Sequence, residues 1–457
     1  MPDYYSEPFL NLAGLTHKSA LIAWGAFYFR VRNNETDFKL VDDQDLDHVH
    51  PPRHQTVGAR SEPYGKATVE VMNSHGEVVA TAFTETTNHC WVTGLQADTE
   101  YTYRVIVNEE EWAAGDRRNW ERLGNKMGLG PKRKPYRNRF RTHPDPTQPS
   151  SEPFTFAVIG DFGVGIKQEG DREQRQIAEA LEKAVDQHDV RLILTTGDNI
   201  YKNGDEDDDW YFTYYQPYRY LINRVPVYPT IGNHDAGETE SRDDRDQLID
   251  NFYINERIAG EEAAGRASVD PGLFYRFRYH ANAEFICIDT SKEPEVFPSR
   301  LFDHPKHKEF FKTALPETPG ALPVWRIPFC HHPPFSAGPE HHNTGGMEAL
   351  VQRFHSAGVK VVFSGHQHHL QLNRVNGIDY LISGAAGKVS KNKPNKFNDA
   401  GTVCWSPTCH FLLVKVEGKS MTIRAIGKLN GVGELADIPR KSPSGAVVSE
   451  PIIVNLP

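Results

Sequence analysis

The feature that most constrains this chain is a series of short apolar runs, each closed by residues able to hold a metal ion. FTFAVIG runs into Gly160-Asp161-Phe162-Gly163, and RLILTTG into Gly197-Asp198-Asn199-Ile200-Tyr201. VPVYPTIG runs into Gly232-Asn233-His234-Asp235, VWRIPFC into His331-His332-Pro333, and VKVVFSG into Gly365-His366-Gln367-His368. Runs this apolar read as strands buried on both faces. The end of such a strand opens into the crevice where α/β proteins place their chemistry. Carboxylate, amide oxygen and imidazole all ligate hard or borderline cations. The glycine beside four of the five motifs lets the backbone turn tightly there. One such motif alone is an ordinary turn or cap; five in succession are not explained that way.

Further strand-like runs, EFICID, DYLISG and FLLVKVE, follow in the same half of the chain. Within Arg172–His188, Ile177, Leu181 and Val185 repeat at i, i+4 and i+8, one face of a helix. Residues 154–430 therefore read as a layered α/β domain, an α+β sandwich. The N-terminal part alternates instead. In HCWVTGLQADTEYTYRVIV, Tyr101, Tyr103, Val105 and Val107 share a face after the turn at Gln96–Thr99. With SALIAWGAFYFRV and ATVEVMNS, this predicts an all-β sandwich over residues 1–107. Its strand, corner and strand around Leu95–Tyr103 resemble fibronectin type III domains; any antiparallel half-buried sheet is the blander reading. Residues 108–153 read as a linker or excursion, with Trp112, Trp120 and Tyr136 as packing anchors and Lys132–Arg141 as a solvated basic face. Residues 431–457 read as a polar C-terminal tail.

A chain of 457 residues exceeds a single hydrophobic core. Its formal net charge of -10 argues against a nucleic-acid backbone or an anionic membrane as partner. No run approaches the ~18 apolar residues that span a bilayer. The start, MPDYYSEPFLNLAGL, lacks a basic region before an apolar core, so no signal peptide is expected and the compartment stays open. An anionic substrate would need positive charge from elsewhere than the side chains, and bound metal ions are the obvious source. Five cysteines are too few for a disulfide framework. Cys287 and Cys330 read as inert buried thiols, and pairing of Cys404 with Cys409 is open.

With these motifs in order, the chain resembles the calcineurin-like metallophosphoesterases and, within them, the purple acid phosphatases, over Phe154–Ile426. Most of that superfamily has Asp-x-His in the first block; here Asp161-Phe162-Gly163 lacks the histidine. The purple acid phosphatase branch makes the loss good with a tyrosine three residues after the second aspartate, and Tyr201 stands there. The resemblance implies one metal site of Asp161, Asp198, Tyr201 and His368, suited to iron(III). It implies a second of Asp198 as bridge, Asn233, His331 and His366, suited to zinc, manganese or iron(II). Pro328 departs from the family's Val-x-x-His, which makes His332 a rival; the following Pro333 favours His331.

The same resemblance implies that His234 faces the phosphoryl oxygens. Glu340, His341 and His342 are candidates for binding phosphate and protonating the leaving group, against a solvated polar loop as the alternative. His355 and His369 read as ordinary histidines, and the acidic run Asp205–Asp209 as a solvated loop. The implied function is hydrolysis of small phosphate monoesters by in-line attack of a metal-bound hydroxide. A phosphodiesterase of the same fold, acting on nucleotides or phospholipid headgroups, is the nearest alternative. A non-catalytic binding protein with an inert phosphatase domain is the alternative of another class. A protein kinase is excluded: Asp161-Phe162-Gly163 has no Gly-x-Gly-x-x-Gly loop or His-Arg-Asp loop to accompany it. Oligomeric state has no signal in the sequence.

Overall fold

Alternation in the first hundred residues produces strands that bury one face against a partner sheet. The computed structural model describes residues 3–32, 37–41, 57–113, 134–165, 173–201, 210–236, 242–262, 268–269, 273–291 and 300–457. Strands β1 (Asp3–Leu15), β2 (Ser19–Arg32), β3 (Asp37–Leu40), β4 (Ala67–Met72), β5 (Val78–Thr84), β6 (His89–Thr93) and β7 (Glu100–Val107) form two antiparallel sheets. One is β1-β2-β3 with β6 also on β2; the other is β5-β4-β7. Leu10, Leu12 and Trp24 from the first sheet meet Val69, Val71, Tyr103 and Val105 from the second in one apolar core.

Two short strands extend the second sheet: β8 (Glu110–Glu111) and β9 (Arg139–Arg141) both pair with β7. The stretch read as a linker thus returns to the sandwich. Trp120 lies outside the described residues, whereas the Trp112 indole donates to the Phe9 carbonyl and the Tyr136 hydroxyl to the Pro8 carbonyl.

The first sheet is buried on its other face as well. Side chains alternate along a strand, so Phe9 of β1 and Phe27 and Phe29 of β2 point away from the sandwich core and into the core of the C-terminal half. There they pack on Tyr211 and Tyr215 of a single π-helical turn, Tyr211–Tyr215, with Phe9 and Tyr215 ring centres 4.3 Å apart. Glu7, on the same face as Phe9 and fully buried, accepts from the Tyr211 hydroxyl and pairs with Arg219.

The C-terminal half contains two mixed sheets. Its strands are β10 (Phe154–Ile159), β11 (Val190–Thr195), β12 (Val227–Tyr228), β13 (Ser268–Val269), β14 (Phe274–His280), β15 (Ala283–Cys287), β16 (Trp325–Phe329) and β17 (Val361–Ser364). They continue with β18 (Leu370–Val375), β19 (Ile378–Ser383), β20 (Thr402–Ser406), β21 (Phe411–Glu417), β22 (Ser420–Ile426), β23 (Arg440–Lys441), β24 (Val447–Val448) and β25 (Ile452–Asn455). One sheet runs β12-β11-β10-β21-β22-β25, the other β13-β14-β15-β16-β17-β19-β18-β20-β23-β24.

The sheets pack face to face through Phe156 against Phe285 and Phe363. The helix Glu173–His188 covers the outside of the first sheet with Ile177, Ala180, Leu181 and Ala184. Helices Pro305–Ala314 and Glu348–Ser356 cover the second with Phe310, Phe311, Leu350 and Phe354. The polar tail supplies edge strands: β25 pairs with β22 and β23 with β20. Cys404 and Cys409 are both free thiols. No helix among the described residues is long and apolar enough to cross a membrane.

Candidate metal centre

Within each sheet, parallel pairing sets the positions of the ligand loops. β10, β11 and β12 are mutually parallel, as are β15, β16 and β17, so their C-terminal ends gather on one side of the molecule. Asp161 follows β10, Asp198 and Tyr201 follow β11, and Asn233 follows β12. His331 follows β16, and His366 and His368 follow β17. The first sheet contributes carboxylates, phenol and amide; the second contributes imidazoles.

The loops are held in unusual backbone shapes. Asp161, Asp198 and His366 have φ of 54°, 49° and 69°, the left-handed region that non-glycine residues seldom occupy. Such strain persists only where surrounding contacts over-determine it. Here the Asp161 amide donates to the Gly197 carbonyl at 3.0 Å, and the His366 amide donates to both Asp161 carboxylate oxygens at 3.0 and 3.1 Å.

Two glycines are required by close approach. A Cβ on Gly163 would lie 2.2 Å from the Asn199 carbonyl oxygen, and one on Gly232 would lie 2.2 Å from Asp198 Oδ1. The Gly163 carbonyl in turn accepts from the Tyr201 amide at 2.9 Å. The bare backbone at 163 is thus the surface on which the Asn199–Tyr201 loop rests.

The side chains converge in two groups. In the first, the Tyr201 hydroxyl is 3.2 Å from both Asp161 Oδ1 and His368 Nε2, and His368 Nε2 is 3.5 Å from Asp161. In the second, Asn233 Oδ1 is 3.0 Å from His331 Nε2 and 3.0 Å from His366 Nδ1, which are 3.2 Å from each other. Asp198 Oδ1 lies 3.3 Å from His331 Nε2, and Asp198 also groups with Asp161 and His368.

The donor set fits metal ions. His331 Nδ1 faces the Thr196 carbonyl at 2.8 Å and must donate to it, so its Nε2 carries a lone pair. That lone pair faces the Asn233 oxygen and the Asp198 carboxylate, acceptors that a bare cation reconciles. Burial holds the imidazoles in the neutral, ligating form: those of His331 and His368 are pushed down to about 3, and that of His366 falls far below its ordinary range. The carboxyls respond in the opposite direction. Burial first, and the Asp198 charge second, raise Asp161 well above the carboxylate range. Asp198 rises to about 6 through burial, against the opposing pull of His234. Burial and the neighbouring carboxylates Asp161 and Asp198 also raise Tyr201. Buried negative charge of this density calls for a cation.

The remaining residues singled out from the sequence divide. His332 lies in the His331–His366 cluster, but its Nδ1 and its amide both meet the Thr290 hydroxyl, at 3.1 and 3.0 Å. His234 packs its ring on Tyr201 at 4.7 Å. His341 stacks on His366 at 3.7 Å between ring centres. Glu340 approaches His368 Nδ1 at 3.7 Å and accepts from the Ser390 hydroxyl at 2.5 Å. His342 is exposed, and its imidazole packs against Gly338. His355 is an exposed helix residue, and His369 is buried with its ring 5.6 Å from that of Trp405. Asp205–Asp209 fall outside the described residues.

Two further residues were given no role by the motif reading. Asp235 is buried and accepts from the Gly232 amide at 2.7 Å, the Asn199 side chain at 2.8 Å and the Ile200 amide at 3.1 Å, tying two ligand loops together. Its place directly after Asn233-His234 was the available signal. Lys388 sets its ammonium 4.1 Å from the centre of the Tyr201 ring. No motif marks it.

Comparison with known proteins bears on the fold and the class of chemistry. Residues 154–370 match the model of the calcineurin-like phosphoesterase family. The chain accordingly carries a calcineurin-like phosphoesterase domain and is similar to purple acid phosphatases, which supports a hydrolase of phosphoesters. Purple acid phosphatase 4 of Arabidopsis thaliana is 26% identical over 260 residues, 51% of this chain and 68% of that protein. Among solved structures, PhoD superposes with a TM-score of 0.63 at 12% identity, covering 98% of this chain and 94% of that one. Purple acid phosphatase PPD1 from yellow lupin (Lupinus luteus) seeds gives 0.58 at 13% identity, covering 96% and 74%. At these identities the two structures speak for the fold.

Proposed function

We propose that the chain hydrolyses small phosphate monoesters at a two-metal centre. The observation that carries this is the convergence of lone-pair-bearing atoms from five strand ends, with Asp198 common to both groups. Asp161, Asp198, Tyr201 and His368 would hold the first metal, and a phenolate among carboxylates suits iron(III). Asp198, Asn233, His331 and His366 would hold the second, a divalent zinc, manganese or iron ion. When bound, two such ions supply positive charge for phosphoryl oxygens and a water acidic enough to ionise near neutral pH.

The protein's own part is orientation and proton transfer. His234, at the edge of the Tyr201 ring, donates to a phosphoryl oxygen. His341, half-buried on His366, protonates the leaving oxygen; Glu340, between Ser390 and His368, orients that side of the site. His342, turned onto Gly338, has the weakest claim of the three.

The accompanying domain division is a fibronectin type III-like sandwich at 1–107, whose sheet the excursion at 108–153 extends through β8 and β9, and a catalytic domain at 154–430, whose sheets the tail at 431–457 extends through β23 and β25. For the sandwich, the Tyr101 hydroxyl accepting from the Gln96 amide at 2.9 Å supports this reading, since such corners recur in that fold.

Metal analysis, a visible spectrum and turnover of aryl mono- and diesters test the proposal. Iron-loaded protein should show a phenolate-to-metal charge-transfer band that Tyr201→Phe removes. Asp198→Asn should lose more than about a hundredfold in turnover, beyond what outer-shell changes cost. A colourless iron-loaded protein, or full activity in Asp198→Asn, would sink the assignment. Faster turnover of diester than monoester would replace it with a phosphodiesterase.

A further inference from the structure

We infer that Lys388 is a substrate-anchoring cation, gripping a phosphoryl oxygen of an anionic ester beside Tyr201; this rests on the phosphoesterase reading above. The segment that carries Lys388 is fastened to the site by its backbone. The Lys388 amide donates to the Asp161 carbonyl at 2.9 Å, the Ser390 amide to the His368 carbonyl at 2.9 Å, and the Gly384 amide to the His369 carbonyl at 3.3 Å. Through the Ser390 hydroxyl the segment also holds Glu340. Two proposed metal ligands and the loop over them therefore fix where Lys388 begins.

From that root the side chain is exposed and places its ammonium 4.1 Å from the Tyr201 ring centre, on the ring that also carries His234. Among the described residues its ammonium makes no ion pair and rests on the Tyr201 ring instead. An exposed lysine rooted at the site and left without a carboxylate partner has three N–H donors to offer an incoming anion. The charge of the rest of the molecule gives this cation a further task. At a net charge of -10 the protein repels a phosphate ester at long range. The segment Gly387–Lys396 counters locally with Lys388, Lys391, Lys393 and Lys396 and no acidic residue. Lys388 is the one of these in contact with a proposed ligand.

Lys388→Met and Lys388→Arg in the full metal-loaded chain test the inference. Kinetics use an aryl phosphate, and calorimetry measures inorganic phosphate binding, which needs no turnover. Lys388→Met should weaken phosphate binding about tenfold and raise KM similarly, with a smaller loss in kcat and an unshifted visible band. Lys388→Arg should recover most of the affinity. Unchanged phosphate binding in Lys388→Met overturns the inference, as does a shifted band with unchanged affinity, which would make Lys388 only a prop for Tyr201. A wild type that binds phosphate without turning over esters defeats the parent reading, while the calorimetric comparison still decides the role of Lys388.

Discussion

One carbon atom at position 163 decides how the first two ligand loops meet. Any Cβ there would sit 2.2 Å from the Asn199 carbonyl oxygen, far inside contact distance. The absent histidine and the present tyrosine are therefore one packing event: the bare backbone at Gly163 receives the loop that delivers Tyr201. Gly163→Ala should destabilise the protein by about 1–3 kcal/mol, the usual cost of forcing atoms into a packed site. It should also weaken the charge-transfer band of the iron-loaded protein, read in the same sample. Gly163→His should fare worse and should not restore a ligand, because the clash comes from the first atom of the side chain. At this scale the sequence is readable where a residue type sits beside a strand end, as with Asp161, Asn233 and His366. It is silent at Lys388, whose contact with Tyr201 depends on the path of a loop after β19 rather than on any spacing.

Among the elements, the sheet β1-β2-β3 faces two ways. Its inner face completes the sandwich, and its outer face carries Glu7, Phe9 and Phe27 onto the C-terminal half. Glu7 is fully buried against Arg219 and Tyr211, so removing it strands a buried guanidinium. Glu7→Ala should cost about 3–5 kcal/mol in denaturant unfolding, whereas Glu7→Leu with Arg219→Met should recover most of that. A double variant as unstable as the single one would contradict this account. The alternating strands of the sandwich are legible because each face has a distinct partner. What the pattern conceals is the second partner, since an acid within an apolar strand reads as solvent-facing until its arginine is seen. Strands as short as Arg139–Arg141 and Lys441 with Arg440 carry too few residues to show a period at all.

For the whole molecule, metal and stability are linked through buried charge. Without ions the centre holds Asp161, Asp198 and Asp235 close together, all buried. Burial and mutual repulsion raise Asp161 well above the ordinary range and Asp235 to about 8, and burial raises Asp198 to about 6. A carboxyl raised in the folded state favours folding at low pH, and that contribution disappears as pH climbs through the folded value. The chelated protein should therefore lose stability between about pH 4 and pH 8, while the metal-loaded protein should not. The gap between their unfolding midpoints should widen across that range, and bound metal adds about 4 kcal/mol at a thousandfold excess over Kd. A gap that narrows with rising pH would contradict the argument.

The division of ligands between the two sheets has a consequence beyond chemistry. Carboxylate, phenol and amide come from one sheet and imidazole from the other, so ions bound at the proposed centre would rivet together two layers packed through Phe156, Phe285 and Phe363. The optical spectrum of an iron-loaded form would then serve as a strain gauge. A repacking of aromatic side chains in the interior, remote from any ester, would be read first as a change of hue.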